Sequence, residues 1–205
     1  YGMVQFTPSY FSKRSGFVIN QLSGGGCEHM GNFPTFPVKG KLKMSPDNIL
    51  NYRINISEEK GHAGYYEAKV QEDIHAKLTV TERTGMASYE YPADQQYGTV
   101  IIGGGISATP IEQAAIVITA PNKCEGYAEG GNFCGLRTPY KVYFVAEFDT
   151  DALESGTWKR DELKPNTTFA EGEYSGVYFT FDVNKKKNIQ YKIGVSYVSV
   201  ENARE

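Results

Sequence analysis

The segment Leu22-Ser23-Gly24-Gly25-Gly26-Cys27-Glu28-His29-Met30-Gly31-Asn32 concentrates the residue types best suited to meeting a ligand. Three successive glycines, Gly24, Gly25 and Gly26, let the main chain come close to another molecule and offer uncovered N–H donors. Ser23, His29 and Asn32 place short polar groups around them. A ring of hydroxyls, as on a sugar, is a natural guest for such a loop. A tight connection between strands would use the same residues, and residue chemistry alone does not separate the two.

Carboxylates are plentiful, among them Glu58, Glu59, Glu67, Glu72, Asp73, Glu82, Glu147 and Asp149. Two carboxyls cleave a glycosidic bond with retention when about 5–5.5 Å apart, and with inversion when about 6.5–9.5 Å apart. Sequence sets no such distance. Most of these residues alternate out of strands or sit in turns, which predicts a solvated face for each. Glu82 and Arg83 interrupt an alternation and suggest an ion pair, either structural, the favoured reading, or at a site. His29, His62 and His75 lie far apart and predict surface or loop histidines, not a three-ligand metal site. Gly103-Gly104-Gly105 has no dinucleotide-type helix after it, so a bulge or close backbone approach is expected there, not a phosphate cradle. No G-x-S-x-G, H-E-x-x-H, C-x-x-C or P-loop pattern occurs. Cys27, Cys124 and Cys134 lack metal spacing; Cys124 and Cys134 either pair across a loop or remain free buried thiols.

The elements that must position these residues are strands. Val38, Leu42 and Met44 alternate with lysines, and Leu50, Tyr52, Ile54 and Ile56 alternate with polar residues. The rows Ala76–Val80, Val177–Val183 and Ile189–Tyr197 repeat the pattern, each with one wet and one dry face. Thr99–Ile102, Ala115–Thr119 and Val142–Phe148 are nearly continuous apolar runs and predict central strands covered on both sides. Turns are predicted at Ser45–Asp47, Glu58–Gly64, Asn184–Asn188 and Gly126–Gly135. Ile111–Val117 is the best short-helix candidate, Ser196–Val200 reads as strand, and Glu201–Glu205 is compatible with helix. The sum is an all-β, antiparallel sandwich with little helix.

A length of 205 residues is a little over one domain at about 150 residues each, and residues 1–205 read as a single domain without internal repeat. A hydrophobic content of 40% is enough for a large core. The net charge of −3 supplies no cationic field for nucleic acid or an anionic membrane. No run approaches the roughly 18 apolar residues of a membrane span. Fifteen Tyr, 11 Phe and one Trp favour strands, and on a concave surface tyrosine offers sugars a flat face with a hydroxyl. The chain opens on Tyr1 and stops soon after a strand, and a further domain is expected beyond Glu205.

Seven stretches occur in the order found in one family: YGMVQFTPS at Tyr1–Ser9, GFVINQLSGGGCEHMGNFP at Gly16–Pro34, GYYEAKV at Gly64–Val70, LTVTERTGMASYEYP at Leu78–Pro92, EGGNFCG at Glu129–Gly135, VYFVAEFD at Val142–Asp149 and KIGVSYVSVENARE at Lys192–Glu205. In these the chain resembles the N-terminal domain of glycoside hydrolase family 92, the bacterial exo-acting α-mannosidases. The resemblance implies a supersandwich of the galactose-mutarotase-like kind, followed by an (α/α)₆ helical domain. That second domain would hold the catalytic acid and base and a calcium ion, with the active site at the domain interface. It would act on mannose-containing glycans, hydrolysing terminal α-mannosides, α-1,2 in the first instance, with inversion. No catalytic residue, metal or cofactor is then expected within this chain, which alone should be inactive.

The family's Leu-Ser-Gly-x-Gly-Cys motif falls on Ser23, Gly24, Gly25, Gly26 and Cys27, which the resemblance makes a substrate-binding loop. The chain departs from the family pattern at Asn20-Gln21, where many members have Thr-His, and at Ala87-Ser88, where many have His-Arg. Few cysteines and a glycan-degrading role suggest a periplasmic or secreted location. The rival readings are a stand-alone carbohydrate-binding or lectin-like module, and a purely structural interaction sandwich.

Overall fold

Alternation of apolar and polar side chains dominates the sequence, and the computed structural model is built from strands accordingly. It describes residues 3–8, 16–21, 30–47, 55–107, 109–131 and 138–205. Among them, seven strands form one sheet in the order β1 (Thr7–Pro8), β2 (Phe17–Val18), β5 (Thr35–Lys39), β10 (Tyr97–Gly103), β17 (Ser175–Asp182), β14 (Glu154–Lys159) and β15 (Glu162–Pro165). Nine form the other. Its order is β16 (Phe169–Glu171), β11 (Ile111–Ala120), β12 (Lys123–Gly130), β13 (Tyr140–Phe148), β18 (Asn188–Ser196), β9 (Thr84–Glu90), β8 (Ile74–Val80), β7 (Tyr65–Val70) and β6 (Ile56–His62). A small third sheet pairs β3 (Asn20–Gln21) with β4 (Met30–Asn32). Neighbouring strands in the two large sheets run antiparallel, which permits the short connections seen along the chain.

The sheets close face to face over a core rich in aromatic rings. Phe148 of β13 meets Phe179 and Phe181 of β17, with centroids 4.9 and 5.1 Å apart, so the two layers interlock through rings. The phenols of Tyr89 and Tyr191 both meet the hydroxyl of Thr35, and Tyr91 donates to the carbonyl of Thr99 at 2.9 Å. Each ring thus fills core volume while its polar tip stays satisfied. Thr99–Ile102 is buried on both faces, as its apolar run predicts.

Several local expectations fail for identifiable reasons. Ile111–Val117 is not helical but opens β11: Ala114, Ile116 and Ile118 turn inward with period two, and Ile116, Val117, Ile118 and Thr119 form a β-branched run. Ala115–Thr119 is accordingly dry on one face only. Glu58–Gly64 is not a turn but most of β6, with the turn confined to Ala63 and Gly64. This edge strand carries charges that discourage pairing with another chain. Gly126–Gly130 belongs to β12, not to a turn: a Cβ at Gly126 would stand 2.1 Å from the carbonyl oxygen of Ala115, so the glycine permits the strand contact. The row Val38–Met44 stops at Lys39, because Gly40 takes φ +75, and Met44 ends 58% exposed. Residues 50–54 of the next row lie outside the described residues. Glu82 and Arg83 occupy an exposed bend, and no ion pair joins them.

The strand predicted over Ser196–Val200 ends at Ser196. A short helix, Val200–Arg204, follows, with the Ser199 hydroxyl accepting from the Asn202 N–H at 3.2 Å as its cap. It lies across β18, β13 and β12, where Arg204 reaches Glu125 at 2.6 Å. Gly194 makes the seat: a Cβ there would stand 2.1 Å from the Ala203 carbonyl oxygen.

Candidate functional site

The substrate-loop residues Ser23, Gly24, Gly25, Gly26 and Cys27, with His29, lie outside the described residues. The strands that enter and leave their segment, β3 and β4, are described. Their register places Asn20 opposite Asn32. Asn20 is 2% exposed and Asn32 not at all, an unusual depth for carboxamides. The Asn32 N–H donates to Asn20 Oδ1 at 2.8 Å, and the Ile19 N–H donates to the Asn32 carbonyl at 3.2 Å. Asn20 Nδ2 donates to the Tyr197 hydroxyl at 3.4 Å, and the Tyr140 hydroxyl donates to Asn32 Oδ1 at 3.1 Å. The Ser107 hydroxyl, 3.5 Å from that of Tyr140, extends the chain.

These groups come from four separate parts of the sequence and meet at one end of the nine-stranded sheet. Burial pushes the Tyr197 phenol above its ordinary range, with the Asn20 bond opposing the shift in part. The network is therefore neutral. It contains no general acid and no nucleophile; it can hold backbone in place and present hydroxyls. Asn32 stands among the polar residues that the loop's composition singles out. Asn20, Tyr140 and Tyr197 are missed by that reading, since 108 residues separate Tyr140 from Asn32 and 177 separate Tyr197 from Asn20.

The opposite end of the same sheet is charged. Glu58, Lys60, Glu67, Lys69, Asp73 and His75 help line an open groove of about 420 Å³. Lys69 pairs with Glu58 at 2.7 Å, Lys60 with Glu67 at 3.6 Å, and Lys39 with Asp73 at 2.9 Å. The Tyr65 hydroxyl donates to Glu67 at 2.6 Å and holds that carboxyl below its usual range, with Lys60 and His75 helping against the opposing effect of desolvation. That direction is opposite to the one a glycosidase acid requires. His62 is exposed, His75 sits 3.8 Å from Glu67, and among the described residues no three His, Cys, Asp or Glu side chains are placed to hold a metal ion. Cys124 is a free, fully buried thiol; Cys134 lies outside the described residues. The Gly103–Gly105 run is a close backbone approach: a Cβ at Gly105 would fall 1.9 Å from the Gly172 carbonyl oxygen.

A two-sheet antiparallel sandwich with hardly any helix among its described residues is an all-β domain. The glycosyl hydrolase family 92 N-terminal domain profile matches residues 1–196, and the chain belongs to that family. Solved structures with the same fold include the GH92-family glycosyl hydrolase ccman5, at 20% identity and TM-score 0.84 over 99% of this chain. A family GH92 α-mannosidase from Bacteroides thetaiotaomicron superposes at 22% identity and TM-score 0.83, also over 99% of the chain. A family GH92 inverting mannosidase from the same organism gives 24% identity and TM-score 0.69 over 84%. The chain spans 30%, 31% and 22% of the lengths of these three proteins. No curated protein matches it.

Proposed function

We propose that the chain is the N-terminal β-sandwich of an exo-acting α-mannosidase that hydrolyses terminal α-mannosides, α-1,2 linkages in the first instance, with inversion. The observation that carries this reading is the family match over residues 1–196, together with a fold shared end to end with an α-mannosidase three times longer. An inverting hydrolase needs one carboxyl to protonate the glycosidic oxygen and another to activate water on the opposite face of the sugar. The family resemblance assigns both catalytic groups to an (α/α)₆ helical domain beyond this sandwich; in the charged groove of this chain Glu58 and Asp73 are tied to lysines. The calcium that the family resemblance implies is assigned to that domain too.

The sandwich shapes the substrate side. Ser23, Gly24, Gly25, Gly26 and Cys27 face the sugar, with main-chain N–H groups as donors to its hydroxyls. A periplasmic or secreted enzyme meeting mannose-rich glycans fits this assignment. The test is stereochemical. Proton NMR of the full-length enzyme acting on an α-1,2-mannobioside is expected to show β-mannose as the first product. First release of α-mannose, or no hydrolysis of any α-mannoside, overturns the proposal.

A further inference from the structure

Asn20 opens β3 and Asn32 closes β4, so the two flank the glycine-rich segment in sequence. Both carboxamides are buried, and the groups bonding them carry no charge. Asn20 works at both ends, accepting from the Asn32 backbone and donating to Tyr197. Asn32 accepts from Tyr140, while its own Nδ2, fully buried, has no partner among the described residues. An unpaired buried donor is rare in folded proteins and marks strain or function. The backbone is left-handed on both sides: Gly31 takes φ +76 without cost, whereas Phe33, which is not a glycine, is strained at φ +53. Phe33 is pinned there by its buried ring, 4.2 Å from that of Phe144. Asn32 is thus held by packing on one side and by three hydrogen-bonded neighbours on the other.

We propose that Asn20, Asn32, Tyr140 and Tyr197 are positioning residues, a hydrogen-bonded bracket that fixes both ends of the segment carrying Ser23–Cys27 against the end of β18. The bracket contains no ionised group. The sugar that the held segment would meet rests on the mannosidase reading; the bracket itself rests only on the hydrogen bonds.

The test uses the full-length enzyme with Tyr140→Phe and Tyr197→Phe, which delete single hydroxyls and keep the rings. Each is expected to lower the melting temperature by no more than about 2–4 °C. Hydrogen exchange in peptides covering residues 16–34 is expected to quicken roughly tenfold, with exchange across Thr84–Tyr91 unchanged. The KM for an aryl α-mannoside is expected to rise about fivefold, with kcat within about twofold, the pattern of lost binding rather than lost chemistry. Unchanged exchange over 16–34 overturns the bracket whatever the kinetics. Quickened exchange with wild-type KM overturns its role in positioning. Absence of mannosidase activity in the unmodified enzyme overturns the functional reading instead, and quickened exchange would still support the bracket.

Discussion

The two ends of the nine-stranded sheet solve the same problem with opposite materials. At one end, β6 to β9 carry Glu58, Glu67, Lys69 and Asp73 into an open, wet groove where each charge has a neighbour of opposite sign. At the other end, the buried carboxamides of Asn20 and Asn32 bond to the half-buried Tyr140 and the more exposed Tyr197 in a network without charge. Exposed ion pairs are screened and contribute little. Buried neutral hydrogen bonds contribute modestly when made, and cost heavily when one partner is removed. Precision of placement should therefore reside at the neutral end, although the charged end has more of the residue types usually associated with catalysis.

The largest effect expected from disturbing the neutral interior comes from alkali. Burial pushes Tyr89 up to about 12, and Tyr91 and Tyr191 rise well above their ordinary value for the same reason. A phenol whose folded value is raised stabilises the fold fully below about pH 10, and that contribution is lost as pH rises, because the unfolded chain gives up its proton first. Three such groups together give a loss of up to roughly 4 kcal/mol per pH unit between pH 10 and 12. Urea unfolding across that range measures it; a flat profile would show that the rings are wetter than described.

Next in size is Asn32→Ala, expected to cost roughly 1.5 kcal/mol by chemical denaturation because the Tyr140 hydroxyl loses its carboxamide acceptor, while the bond from the residue-32 N–H to Asn20 survives. Gly194→Ala should cost about 1 kcal/mol, at the low end for overpacking, since the helix Val200–Arg204 can lift from its seat. Its signature would be faster exchange confined to residues 198–205. Lys69→Ala at the charged end is expected to stay within about 0.5 kcal/mol. A loss there as large as that of Asn32→Ala would reverse the contrast between the two ends.

The smallest effect is a pH response. Tyr65→Phe removes the hydrogen bond that depresses Glu67, so the Glu67 titration followed by NMR should move upward toward the ordinary carboxylate range. In the unmodified chain this depressed group stabilises the fold above the ordinary Glu value, and its contribution fades as pH falls through the folded value.

Much of the sandwich was legible in the sequence because period two is a local signal. The rows Ala76–Val80 and Ile189–Val195 alternate visibly and lie where the alternation puts them. Misreadings arose where a residue type has two uses. The Glu58–Gly64 charges resemble a turn yet protect an edge strand, and Gly126 resembles punctuation yet admits a neighbouring carbonyl. The Ile111–Val117 segment spaces its apolar residues ambiguously, and pairing with β12 decides it. For the site, composition pointed to Ser23–Cys27 and to Asn32. Asn20 stood out only as a departure from the family pattern, and Tyr140 and Tyr197 looked like ordinary strand tyrosines. Their roles arise from contacts across more than a hundred residues, which no local pattern encodes.

The central claim is that this sandwich forms a wall of the substrate site while the reactive carboxyls stand elsewhere. Release of nitrophenol from 4-nitrophenyl α-mannoside, measured for the folded 205-residue chain beside the full-length enzyme, tests it most directly. The account predicts steady turnover by the full-length enzyme and none above background by the chain. Turnover by the chain that disappears on Glu67→Gln would place the chemistry in the charged groove and contradict it.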